Sequence, residues 1–198
     1  MSSIPSSLEL KEFGRVDRTH EIVRDLQRYI RTVPDFPRPG VSFKDITPLI
    51  ENGEALHAAV DSLALATYGL DYDRVLSAEA RGFVLGTALA YRARKGLILA
   101  RKPNKLPRET ISASYELEYG TDSLEAHADA VPRGTRVLVA DDLLATGGTA
   151  RAMCRLVEKA GGIVAGVAFL IELTYLGGRS RLASYEVVSL ITYDDPEE

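Results

Sequence analysis

The chain has 198 residues, 24 of them basic and 28 acidic for a net charge of −4, and 45% are hydrophobic. This is the mix of a soluble globular domain with a sizeable core, and its acidic balance argues against a general nucleic-acid binder, whose affinity comes from a basic surface. A single cysteine, Cys154, excludes an internal disulfide, and the separated histidines His20, His57 and His127 form no spaced ligand set. MSSIPSSLEL lacks the basic and apolar regions of a secretory leader, and no apolar run reaches bilayer length, so a cytoplasmic protein without membrane contact is expected. Residues 1–20 read as an N-terminal arm and residues 21–198 as one domain. From Glu21 to Thr32 the apolar positions Ile22, Val23, Leu26, Tyr29 and Ile30 predict an amphipathic helix. VPDFPRPGVSF follows, and its prolines and glycine predict a shaped loop.

A helix is expected over Glu54–Tyr68. Strand and helix then alternate: RVLS (Arg74–Ser77) as strand, Gly82–Lys95 as helix, LILA (Leu97–Ala100) and RVLVA (Arg136–Ala140) as strands. Thr149–Ala160 reads as a helix stopped by Gly161, and Ile163–Leu173 and Glu186–Tyr193 as the closing strands. Apolar strands alternating with helices predict an α/β fold with a mostly parallel central sheet flanked by helices. Arg101–Gly134 breaks the pattern, being long, polar and turn-rich. It reads as a flexible lid containing a β-ribbon, or as a bland insert, and its Lys, Arg, Tyr and Glu content favours the lid.

VLVADDLLATGGTARAM (Val137–Met153) concentrates the chemistry. An apolar strand runs into two acids, then a glycine turn, then a helix start. Thr146, Gly147, Gly148 and Thr149 let successive backbone N–H groups and two hydroxyls face one point, beside the positive end of a helix. The turn is neither a GxxxxGK[ST] loop nor a GxGxxG fingerprint. Asp141 and Asp142 cannot bind a phosphate, but they can accept hydrogen bonds from sugar hydroxyls nearby. Together these residues predict a ribose 5-phosphate site, where the carboxylates would also stabilise an oxocarbenium-like transition state.

The stretch resembles the 5-phosphoribosyl diphosphate (PRPP) motif of the type I phosphoribosyltransferases, DDLLATGGT resembling their adenine branch in particular. FPRPGVSFKDITPLI, EARGFVLG, RKPNKLP, ASYELEYGTDSLE and IELTYLGGRSRL continue the likeness in the family's order, from about Tyr29 to Tyr193. The resemblance implies the fold of that family and the reaction of adenine with PRPP to give AMP and diphosphate. It implies Mg²⁺ carried by PRPP, with no metal ligands from the protein, and a homodimer. Asp141 and Asp142 match the pair on the ribose hydroxyls, and Ala145–Thr149 the 5-phosphate loop. Glu79, Ala80, Arg81 and Gly82 match the loop that grips the diphosphate, with Arg81 its cationic contact and a cis peptide at Glu79–Ala80. Lys102 and Lys105 match basic residues near the diphosphate. Phe43 and Leu143 match the residues on either face of adenine, with the backbone of Ser42 and Lys44 reading the base edge. Glu118, with Tyr119 beside it, matches a lid carboxylate positioned to take the imidazole-ring proton, lid closure being its rival role.

Three departures are informative. Ala80 stands where members commonly have Ser, and Arg108 where Gly often follows LP. Ala145 occupies the place of the Asp that commonly serves as base in enzymes for hypoxanthine and guanine. Ala cannot accept a proton, which favours a 6-amino purine. The alternatives are a transferase for another purine and a PRPP-sensing regulator, for which residues 1–20 are too short to supply a helix-turn-helix domain.

Overall fold

The computed structural model describes residues 22–116 and 121–197, which divide into two units at Ala58/Ala59. The arm, residues 1–20, and the lid residues Glu118 and Tyr119 lie outside the described residues.

In the first unit the expected helix is short: residues 22–27 (α1) are helical, and Arg31–Val33 form a strand, β1. The chain leaves the helix through a turn in which the Arg28, Tyr29 and Ile30 N–H groups donate to the carbonyls of Asp25, Leu26 and Gln27, and it is extended from Arg31. β1 pairs antiparallel with β2 (Phe43–Asp45), with Thr32 opposite Lys44. The proline-rich loop between them contains a cis Phe36–Pro37 peptide and a left-handed Gly40 (φ 82°), whose N–H donates to Asp35 Oδ1 at 2.8 Å. The short helix α2 (Thr47–Glu51) follows, with Asp45 accepting from the Thr47 N–H and hydroxyl, both at 2.9 Å. Asn52 Oδ1 then accepts from Ala55 N–H at the start of α3 (Gly53–Ala66).

The second unit holds a five-stranded parallel sheet in the order β4-β3-β7-β8-β9. Its strands are β3 (Arg74–Ala78), β4 (Gly96–Ala100), β7 (Arg136–Leu144), β8 (Ile163–Leu173) and β9 (Val187–Tyr193). The strand period of two sends alternate residues of β7 to opposite faces. Val137 and Val139 pack with Met153, Leu156 and Val157 of α5 (Gly148–Lys159). Leu138 and Ala140 pack with Leu89 and Ala90 of α4 (Arg81–Ala93) and with Leu63. The sheet is therefore covered on both faces, which is why its strands read as nearly continuous apolar runs. Among the described residues no helix is long and apolar enough to cross a membrane.

Arg101–Gly134 contains the expected ribbon, an antiparallel hairpin of β5 (Thr110–Glu116) and β6 (Thr121–His127). Its described residues are tied to the core and to the segment after β4. Ala113, Leu124 and Ala126 are buried in the α5-side core, and Arg101 and Glu125 form an antiparallel bridge through mutual backbone hydrogen bonds of 2.8 and 2.7 Å.

β3 and β7 pair through Leu76 and Val139, where their ladder ends. One position on, the buried Ser77 hydroxyl donates to the Ala140 carbonyl at 2.6 Å and prolongs the tie. Gly86 of α4 lies against that hydroxyl, and a Cβ there would sit 1.9 Å from Ser77 Oγ. Gly86→Ala would gain about 1 kcal/mol in helix propensity, but overpacking costs ~1–3 kcal/mol and the displaced hydrogen bond ~1 kcal/mol more. The melting temperature should fall by several degrees, and adding Ser77→Ala should recover part of the loss by making room. A melt of Gly86→Ala at or above that of the parent protein would show that the helix shifts without cost.

Candidate active site

The strand order places the site. From β3 the chain moves outward to β4, and from β7 it moves the other way to β8 and β9, so the order reverses between β3 and β7. Ligands of open parallel sheets bind at the carboxyl ends of strands at such a reversal. Glu79–Arg81 leave β3 there, and Asp141–Thr149 occupy the end of β7 and the turn into α5.

β7 is longer than expected and carries the acids within it. Asp141 pairs with Phe169 and Leu143 with Ile171 of β8, so the parallel ladder fixes both acids in an extended backbone. Extended geometry sends the two side chains to opposite sides. Asp142, 7% exposed, forms an ion pair with Arg81, Oδ2 to Nε 2.8 Å. Asp141 Oδ1 accepts the Asp142 N–H at 3.0 Å. Burial and the adjacent Asp142 charge push the Asp141 carboxyl well above its usual range. Burial also raises Asp142, against the pull of Arg81. Gly82 makes the arrangement possible, since a Cβ there would lie 2.2 Å from Asp141 Oδ1.

Leu143, half-buried, and Ala145–Thr149 follow. Together with Arg81, Asp141 and Asp142 they line a cavity of about 230 Å³. Gly147 turns the chain with φ 80° and serves as the N-cap of α5 with no side-chain cap. The first N–H groups of α5 thus stand at the cavity without an internal acceptor, a ready anion cradle. The turn is braced from behind by Gly178, in the loop after β8. A Cβ on Gly147 would lie 2.5 Å from the Gly178 carbonyl oxygen, and a Cβ on Gly178 would lie 2.0 Å from that of Ala145.

Across the reversal, the Glu79–Ala80 peptide is cis, as the family likeness implied. Ala80 is the N-cap of α4 and offers no side-chain cap, as the absent hydroxyl requires. The Glu79 carboxylate is turned toward the segment after β4. It accepts from Arg101 Nε and Nη2 at 3.0 and 2.9 Å and from the Lys102 N–H at 2.6 Å. Burial pushes Glu79 up, but these donors outweigh it and hold the carboxyl below its usual range. Lys102 Nζ reaches Asp122 in the hairpin, and exposed Lys105 gives its carbonyl to Arg101 Nη1 at 3.1 Å. Gly82 was matched to the diphosphate loop, but its closeness to Asp141 was not foreseen. Gly178, Arg101 and Asp122 lie within the quoted motifs IELTYLGGRSRL, RKPNKLP and ASYELEYGTDSLE without being singled out as site residues.

Phe43 and Lys44 stand on β2 of the first unit. The Phe43 ring meets Phe36 edge-on, with centroids 5.1 Å apart, and the buried Lys44 donates from Nζ to Thr32 Oγ1 at 3.0 Å.

A family model, that of the phosphoribosyl transferase domain, matches residues 49–195. An adenine phosphoribosyltransferase from Rubrobacter xylanophilus is 74% identical over 181 residues, covering 91% of this chain and 96% of that protein. The crystal structure of adenine phosphoribosyltransferase from Thermoanaerobacter pseudethanolicus is 51% identical with a TM-score of 0.85, covering 86% of this chain and 99% of that one. The Saccharomyces cerevisiae enzyme, complexed with an imino-altritol bisphosphate and adenine, is 34% identical with a TM-score of 0.81, over 86% of this chain and 99% of that one.

The raised Asp141 carboxyl carries a stability consequence. A folded-state value above the unfolded one near 3.8 means that the fold favours the protonated form, so this group's ionisation opposes folding as pH rises through that window. Asp141→Asn keeps the acceptor for Asp142 N–H and removes the charge. The variant should melt a few degrees above the parent protein at neutral pH, roughly 2–4 °C per kcal/mol for a domain of this size. The gap should close as pH falls toward the ordinary carboxylate range. A variant less stable at neutral pH, or a gap independent of pH, would show that Asp141 is not held at a cost.

Proposed function

This chain belongs to the phosphoribosyl transferase family, and on that premise we propose that it is an adenine salvage enzyme, transferring the 5-phosphoribosyl group of PRPP to adenine with release of diphosphate. The observation that carries this reading is the junction of two adjacent acids, served by the one guanidinium of Arg81, with an uncapped helix turn in one cavity at the β3/β7 reversal. An anion at the turn and hydroxyls at the acids are one molecule's requirements, those of a ribose 5-phosphate.

The N–H groups at Ala145–Thr149 would hold the 5-phosphate, and Asp141 and Asp142 the ribose hydroxyls. As the bond to diphosphate breaks, positive charge grows on the sugar, and the carboxylates favour it because they lack a full cationic partner. Arg81, Lys102 and Lys105 would bind the departing diphosphate, Glu79 acting through its grip on Arg101 and the Lys102 N–H. Ala80 contributes backbone only. The raised carboxyls suit a site that receives positive charge, and Mg²⁺, borne by PRPP, would neutralise charge on the leaving group. Phe43 and Leu143 would flank adenine, with the Lys44 backbone at its edge. Ala145 offers no base, so Glu118, with Tyr119 beside it, would accept the ring proton. General-base help is worth ~10²–10⁴ in rate, less than the ~10⁵–10⁸ M effective molarity from aligning two substrates. We further propose that the enzyme works in the cytoplasm as a homodimer, as the family likeness implies.

Purified protein given PRPP, Mg²⁺ and one of adenine, hypoxanthine, guanine or xanthine should form nucleotide and diphosphate with adenine alone. Product from another purine only would overturn the base assignment, and PRPP binding without product from any base would favour a regulator. Glu118→Gln should slow single-turnover chemistry more than it weakens PRPP binding. The reverse pattern would assign Glu118 to lid closure.

A further inference from the structure

Lys102 is fixed at its backbone and held by its side chain elsewhere. Its N–H is bound to Glu79 Oε1 at 2.6 Å, and the neighbouring Arg101 forms the antiparallel bridge to Glu125. Its ammonium forms a salt bridge with Asp122 and donates to the Tyr115 hydroxyl at 3.3 Å, lying 5.8 Å from that ring's centroid. Tyr115 and Asp122 are cross-strand partners in the hairpin, one step from the terminal pair Glu116 and Thr121, and the Tyr115 hydroxyl donates to Asp122 Oδ2 at 3.1 Å. Partial burial works against the Lys102 charge, but these partners keep the ammonium above its usual range. The Lys102 hydrogen bond in turn holds Asp122 below its own.

We propose that Asp122, supported by Tyr115, is a resident acceptor that competes with diphosphate for Lys102 and so sets the affinity for PRPP. The idea rests on the reading of Lys102 as a diphosphate ligand. The exchange requires only a side-chain rotation, because Glu79 and the Glu125 bridge keep the backbone in place. Lys102 is 44% exposed at its side chain, so its path into solvent is open. Asp122 is not stranded when Lys102 leaves, since Ser123 N–H donates to its Oδ1 at 2.7 Å and Tyr115 to its Oδ2. A carboxylate with two remaining donors loses far less than an orphaned one. The same acceptor takes Lys102 back when diphosphate departs. Asp122 is thus a positioning residue for the step that admits PRPP and the step that frees diphosphate.

The test is titration calorimetry of the full chain with Mg²⁺ and inorganic diphosphate, then with PRPP, beside steady-state kinetics with adenine. Asp122→Asn should tighten diphosphate binding and lower KM for PRPP by about threefold to tenfold, the scale of a part-buried charge contact. In a Lys102→Ala background Asp122→Asn should change neither quantity, because the competitor has lost its object. Weaker binding in Asp122→Asn, or tightening that persists without Lys102, would overturn the proposal and leave Asp122 a structural pin. The Lys102-dependent coupling seen with diphosphate in a protein that forms no AMP from adenine would support this inference and overturn the adenine reading. Absence of any Lys102 contribution to diphosphate binding would overturn this inference, and AMP formation in the same preparation would leave the adenine reading standing.

Discussion

The arrangement of this protein depends on keeping two adjacent carboxylates, Asp141 and Asp142, at the end of a central strand with one guanidinium between them and charge balance. Arg81 pairs with Asp142 at 2.8 Å, and Asp141 is left with a backbone N–H as its donor. Like charges side by side in a half-buried place are unstable on their own account. They persist because the ladder to β8 fixes their backbone and because Gly82 lets the first turn of α4 close on Asp141. The helix that supplies Arg81 is thus also the wall that confines Asp141. On the proposed reaction, a site built this way would favour the positive charge that grows on the sugar.

The basic side follows the opposite rule. Arg81, Arg101 and Lys102 each meet a resident acid: Asp142, Glu79 and Asp122 respectively. A chain of net charge −4 can receive a polyanion only where cations are gathered, and gathered cations repel one another unless they are neutralised. The resident acids solve that problem in the absence of ligand, with different degrees of permanence. Glu79 accepts three hydrogen bonds from Arg101 and the Lys102 backbone and acts as a fixed organiser. Asp122 holds an ammonium whose side chain is 44% exposed, and it is the contact proposed to exchange.

What could be read from the sequence was what local chemistry determines. Apolar runs and glycine stops located the strands and the helices that flank them, and the acids followed by TGGT located the anion turn, because each depends on residues a few positions apart. The helix over Glu21–Thr32 was overextended because an antiparallel ladder to Phe43–Asp45 claims Arg31–Val33, a pairing that helical periodicity does not announce. The close approaches were illegible. Ser77 meets the Ala140 carbonyl 63 positions away, and Glu79 meets Arg101 across 22. Gly82 and Gly178 are small for the sake of Asp141 and Ala145, which no neighbouring residue announces. The side of Lys102 that faces Asp122 also required knowing that the hairpin folds back on the segment after β4.

The hairpin shows how a polar excursion can serve chemistry without being loose. Alternation puts Tyr115 and Asp122 on the same face as the buried Ala113, Leu124 and Ala126, and toward the far end of the hairpin that face meets the segment that carries Lys102. Its base is therefore as fixed as the sheet, held by apolar burial and by the Arg101–Glu125 bridge. A fully mobile lid would lose, at each closure, the conformational entropy of every residue it orders. An anchored ribbon confines that loss to whatever must move, and the exchange at Lys102 needs little more than the torsions of one side chain. Chemistry that depends on aligning two substrates gains most from such a frame, because alignment is worth more in rate than any single proton transfer.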